Sequence, residues 1–137
     1  MPDDSPSTAA RPRTTVRHAA GAHFDPGLRA FFEYRDLGIR TATGGAFGAH
    51  VIRAVPGQHA QPHWHLHEVT FQMVYILKGW VRFEYEDIGE VELRPGDCVY
   101  QPPRIRHREI AHSDDLELIE ITAPAEFATE AAEAPKR

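Results

Sequence analysis

The sequence predicts an all-β domain built as an antiparallel sandwich or barrel. Short runs rich in Val, Ile, Phe and Tyr recur along residues 47–122, broken by Gly- and Pro-containing turns roughly every ten residues. One run alternates strictly. Val81, Phe83 and Tyr85 interleave with Arg82, Glu84 and Glu86, which is the period of a strand with one wet face. His63, His65 and His67 occupy every second position, so an extended strand would put all three imidazoles on one side.

The elements follow in order. Residues 1–22 are rich in Pro, Ala, Ser, Thr and Arg and almost free of large apolar side chains, which predicts a mobile tail. Asp25-Pro26 reads as a helix cap and first helical position. Residues 31–39 fit a strand, the preferred reading, while Leu28, Phe31 and Phe32 also fit a short helix. Gly44-Gly45 marks a turn into a strand over residues 47–55, which Pro56-Gly57 closes. Residues 69–77 are strongly β-prone and end at Lys78-Gly79. After the alternating strand 81–86, Asp87-Ile88-Gly89 turns into 90–93, and Arg94-Pro95-Gly96-Asp97 turns into 98–100. Pro102-Pro103 breaks the next segment, and residues 115–122, carrying Leu116, Leu118, Ile119 and Ile121, form a last strand. Residues 124–137 are polar and Ala-rich and predict a C-terminal tail or a short helix, with Phe127 docking back on the domain. The chain thus divides into a tail over 1–22, a β-domain over 23–123 and a terminal segment over 124–137.

Composition removes several function classes. A chain of 137 residues is one domain, large enough to bury a core. A net charge of −5 gives no electrostatic ground for nucleic acid or an anionic membrane. No apolar run is long enough to span a bilayer, and Asp3, Asp4 and two prolines follow Met1 where a secretory signal would carry its apolar region. The single Cys98 excludes an internal disulfide and suits a reducing cytoplasm, and its strand-like surroundings predict a buried, inert thiol.

The histidines carry the chemistry, because neutral imidazoles converging from one face are a common way to hold a first-row transition metal. Two spacings extend the cluster. The first is His65-x-His67, four residues, Gln72, six residues, Gly79; the second is Gly96, five residues, Pro102 and then His107. Together with the turn Leu93-Arg94-Pro95-Gly96-Asp97, these resemble the two motifs of the cupin superfamily over about residues 45–122. Arg104 stands where a second glycine is usual, Ala111 where an asparagine is common, and Gln72 where cupins usually place a glutamate. A second register, in which Gly57 leads into His63-x-His65, fits the opening of the motif but loses the spacing to Gly79.

The resemblance implies a cupin-type antiparallel β-barrel, a jelly roll, with a divalent transition metal held by His65, His67, Gln72 and His107 and with His63 nearby or as an alternative ligand. Iron comes first among the metals, with Zn, Ni or Mn as alternatives. An amide at position 72 cancels no metal charge, which predicts a preference for anionic substrates and a raised reduction potential. Alternation along the strands puts Val74 and Ile76 on the face of Gln72, and Phe83 and Tyr85 in the walls. Tyr100 and Glu109 are the candidate acid or base residues, Gln101 flanks them, and Arg104, Arg106 and Arg108 read as a solvated strand face. The implied function is a small metal-binding cupin, an iron-dependent dioxygenase acting on a small molecule. The alternatives are a non-catalytic ligand-binding or sensor cupin, and a redox-inert metal-dependent isomerase or hydrolase. Trp80, Phe31, Phe32 and Tyr34 are surplus aromatics that would cover a homodimer interface.

Overall fold

The computed structural model describes residues 11–27 and 30–136. Residues 11–22 are exposed and lie outside every strand and helix, and the rest of the expected N-terminal tail, like Leu28, falls outside the described residues. Among the described residues, eleven strands and one short helix follow: β1 (Asp25–Pro26), β2 (Phe32–Asp36), α1 (Ile39–Ala42), β3 (Gly48–Ala54), β4 (His65–His67), β5 (Phe71–Lys78), β6 (Val81–Tyr85), β7 (Gly89–Leu93), β8 (Cys98–Tyr100), β9 (His107–His112), β10 (Glu117–Ala123) and β11 (Thr129–Ala131). They form two antiparallel sheets, ordered β1-β2-β3-β10-β5-β8 and β11-β4-β9-β6-β7. This is the jelly-roll architecture.

The core lies between the sheets. Ile52, Val74, Ile76 and Leu118 from one sheet meet Val81, Phe83, Tyr85 and Leu93 from the other. Ile76 and Val81 have no exposed surface, and each such aliphatic side chain contributes about 1.5–3 kcal/mol on burial. The alternation of β6 is realised as expected. Val81, Phe83 and Tyr85 face inward, while Arg82 pairs with Glu92 and Arg108 with Glu84 on the outer face. Strand β5 behaves differently. Gln72, Val74 and Ile76 are buried, but Phe71, Tyr75 and Leu77 on its outer side remain exposed. Most antiparallel sheets turn a polar face to water; this one shows an apolar patch.

Several local expectations are corrected. Asp25-Pro26 does not start a helix; it pairs with Tyr34 and Glu33 as β1, because an available edge of β2 satisfies its backbone. The C-terminal segment is neither a tail nor a helix over residues 129–131, which pair with β4. Cys98 is exposed, since the inward positions around it belong to Val99 and Gln101. Phe32 and Tyr34 line an internal cavity and so leave the set of surplus surface aromatics. Among the described residues, no helix is long and apolar enough to cross a membrane.

Candidate metal centre

Three imidazoles converge where the two motifs meet. His65 and His67 alternate along β4, and His107 at the head of β9 is the direct cross-strand partner of His65. Ring centroids lie 4.4 Å apart for His65–His107 and 5.0 Å apart for each of the other two pairs. One nitrogen from each residue falls within 4.8 Å of the others, a group able to hold a metal ion. Nitrogens at 2.0–2.1 Å from a shared ion sit about 3–3.5 Å apart, so small ring rotations close the site. The residues fit a metal.

The orientation of each ring is set by its other nitrogen. Nδ1 of His65 meets the carbonyl of His63 at 2.9 Å, and Nδ1 of His107 meets the carbonyl of Ile105 at 3.0 Å. A carbonyl only accepts, so each Nδ1 carries the proton and Nε2 is the nitrogen of each ring that can serve as a metal donor. His67 differs: its Nδ1 lies 2.8 Å from the Thr129 hydroxyl, supplied by β11. Phe127, just before that strand, packs its ring 5.4 Å from His67. The terminal segment thus completes the support of a candidate ligand.

A cavity of about 390 Å³ opens from the imidazoles between the sheets. Its polar wall includes Gln72, Gln101, Glu109 and Glu120, and its apolar wall includes Phe32, Tyr34, Phe83 and Phe127. Gln72 is 2% exposed, and its Nε2 donates to Glu120 Oε2 at 2.9 Å. Glu109, also buried, accepts from His112 Nδ1 at 2.6 Å. Tyr85 stacks on His107 at 5.6 Å and donates its hydroxyl to Gln101 Oε1 at 2.6 Å. Burial, with Asp87 adding to it, pushes the Tyr85 phenol far above its ordinary range, so it serves as a fixed donor.

His65, His67, Gln72, Glu109 and His107 all reach this cavity. Two others do not. His63 precedes β4, its side chain is exposed, and it contributes only its carbonyl; the register built on His63 and His65 is not the one that meets His107. Tyr100 is 55% exposed and packs against Phe71 on the outside, because the strand alternation that turns Gln101 inward turns Tyr100 outward. The arginine run lies outside as well: Arg106 pairs with Glu86, Arg108 with Glu84, and Arg104 with Glu68. The hydrogen bond from the Arg106 backbone N–H, helped by its guanidinium, holds the Glu86 carboxyl below its ordinary value.

Sequence reasoning missed three residues. Glu120 was legible, since it continues the inward alternation of Leu116 and Leu118. His112 was not, because a register shift where β6 meets β9 breaks the two-residue period and turns His112 inward beside Glu109. Thr129 sits in a segment with no strand signal at all. Glu109 and Glu120 also alter the expected electrostatics. The cavity holds two carboxylates and, among the described residues, no Lys or Arg, which removes the ground for a preference for anionic substrates.

The family profile of the cupin domain matches residues 50–122. This chain belongs to the cupin family. No curated protein sequence matches this cupin. Among solved structures, it is similar to the polyketide cyclase RemF from Streptomyces resistomycificus, at 17% identity and a TM-score of 0.71, over 90% of this chain and 89% of that one. KdgF from Halomonas sp. is 20% identical with a TM-score of 0.66, over 82% of this cupin and 94% of that chain. The Fe(II) form of HppE is 15% identical with a TM-score of 0.63, over 80% of this cupin and 60% of that chain. These likenesses show a shared fold.

Proposed function

We propose that this cupin is a metal-dependent enzyme, an iron-dependent dioxygenase that acts on a small, largely apolar molecule bearing hydrogen-bond donors. The observation that carries the reading is the convergence of three imidazoles, two of them oriented by a backbone carbonyl on Nδ1, at the wall of a cavity of small-molecule size. When bound, a divalent ion supplies Lewis acidity there and, if it is iron, electron transfer to O2. His65, His67 and His107 hold the ion, and the Gln72 carbonyl oxygen is the fourth candidate donor. The ring wall of Phe32, Phe83 and Phe127 excludes water and takes the apolar part of the substrate. Glu109 offers a carboxylate oxygen to a substrate hydroxyl, oriented by His112. The likeness to HppE, described as an Fe(II) protein, supports iron.

Elemental analysis of untagged protein beside the His65→Ala/His67→Ala variant tests this. Near-stoichiometric iron in the parent alone, with O2 uptake on a screen of neutral aromatic and hydroxylated compounds, is the expected result. Stoichiometric Zn, Ni or Mn would keep the centre but move the chemistry to redox-inert isomerisation or hydrolysis. No metal after anaerobic reconstitution would leave a ligand-binding or sensor cupin.

We further assign a homodimer contact to the outer face of β5, where Phe71, Tyr75 and Leu77 stay exposed next to Tyr100. Tyr75→Glu/Leu77→Glu is expected to sediment as a monomer where the parent sediments as a dimer; a monomeric parent sinks the assignment. The exposed free thiol of Cys98 accords with a reducing cytoplasm, which cell fractionation checks.

A further inference from the structure

We propose that Glu120 is a positioning residue of the metal centre: it fixes which end of the Gln72 amide is offered to the metal, and it supplies from behind that amide the negative charge that a glutamate at position 72 would bring. The proposal rests on the reading of the three imidazoles as a metal site.

Gln72 is 2% exposed, so water cannot satisfy its amide and the surroundings must. Its Nε2 donates to Glu120 Oε2 at 2.9 Å. A carboxylate accepts and does not donate, so the NH2 end is committed to Glu120 and a flipped amide would set oxygen against oxygen. The carbonyl oxygen is the end that remains, and it is the end of an amide that binds a metal. Register explains how the two side chains meet. Gln72 lies opposite Thr122 and Glu120 opposite Val74, so they touch as a diagonal pair between β5 and β10. Both line the cavity that holds His65, His67 and His107.

The charge argument points the same way. Three neutral imidazoles and a neutral amide leave a divalent ion with its full charge. A charged acceptor on the amide N–H draws electron density toward the carbonyl oxygen and strengthens it as a donor, much as a carboxylate behind a ligating histidine raises that ligand's basicity. The charge missing at position 72 therefore stands one hydrogen bond away.

The test compares the parent, Glu120→Gln, Gln72→Glu and Gln72→Glu/Glu120→Gln. Zn2+ affinity is read by competition with a chromophoric chelator, the ligand field from the visible spectrum of the Co2+ forms, and fold stability by thermal denaturation of the metal-free proteins. Glu120→Gln is expected to weaken Zn2+ binding on the order of 10- to 100-fold and to shift the Co2+ spectrum. Gln72→Glu alone sets two carboxylates against each other and is expected to gain little. The double variant restores a donor facing a carboxylate with the roles exchanged, and is expected to recover at least parental affinity, so the cycle is strongly non-additive. If Glu120→Gln does not fold, the double variant against Gln72→Glu carries the comparison. Parental affinity and spectrum in Glu120→Gln, an additive cycle in Zn2+ affinity, or coupling confined to the metal-free melting temperature would each overturn the role of Glu120. A parent that takes up no metal sinks this role and the metal reading together; a parent that binds metal through an additive cycle sinks this role alone.

Discussion

His107→Ala is expected to lose its metal while keeping its fold. His107 is the one member of the cluster that comes from β9, and its pairing with His65 brings the second motif to the first. Without it, two imidazoles on one strand and the neutral Gln72 amide remain, and an amide oxygen is a weaker donor to a transition metal than the imidazole it would have to replace. The loss exceeds the roughly 10- to 100-fold that follows from removing a supporting group behind a ligand. The ring is 3% exposed and stacks on Tyr85, so its truncation also costs the metal-free protein on the order of 1–3 kcal/mol. The two effects separate in a melting experiment. Bound Zn2+ at about 100 times its Kd stabilises the parent by about 2.7 kcal/mol, and that increment is expected to vanish in the variant. Parental metal content in purified His107→Ala, with an undiminished Zn2+-dependent rise in melting temperature, would show that His107 is not a ligand and that the four-ligand set is wrong.

Gly79→Ala is expected to be the most damaging single methyl group in the barrel. Gly79 turns the chain from β5 to β6 with φ at +72°, a left-handed conformation that costs an L residue about 1–2 kcal/mol. A Cβ there would also press on Ser113 Oγ, stand 2.7 Å from Asp115 Oδ1 and 2.9 Å from the Cα of Leu116. Ser113 cannot yield cheaply, because its hydroxyl accepts the backbone N–H of Trp80 at 2.9 Å. Leu116 is 1% exposed and sits in the core cluster. Strain and overpacking together amount to roughly 2–5 kcal/mol, enough to lower the melting temperature by about 10 °C or more. Gly89→Ala is the control: its φ is +78° but nothing lies near its Cβ, so it carries the strain without the crowding. Equal losses in the two variants would mean that crowding at Gly79 contributes nothing.

Arg104 shows how a backbone demand outlives the residue that usually meets it. In this sequence it occupies the second glycine position of the second motif, and its φ is +62°. The turn into β9 still requires the left-handed conformation. Here the side chain that bears the strain also reaches Glu68 and Glu130, which hydrogen bond to each other as well. That shared site holds the Glu68 carboxyl below, and the Glu130 carboxyl above, the ordinary value.

What the sequence determined by itself was set by short-range periodicity. The two-residue alternation of Val81, Phe83 and Tyr85 assigned one face of β6, and the same alternation carried Gln72, Val74 and Ile76 inward. Strand alternation put His65 and His67 on one side, with His63 beside them, and the resemblance to the second cupin motif added His107. The tertiary structure decided everything that depends on which strands become neighbours. Thr129 supports His67 only because β11 pairs with β4, and Glu120 holds Gln72 only because β10 pairs with β5 in that register. His112 faces Glu109 because a bulge breaks the period the sequence obeys elsewhere. Tyr100 looked as eligible as Gln101 until the direction of β8 was known. Pairing and register arise from burial of the whole barrel rather than from any local run of residues, so the candidate ligands were legible in the chain and the contacts that support them were not.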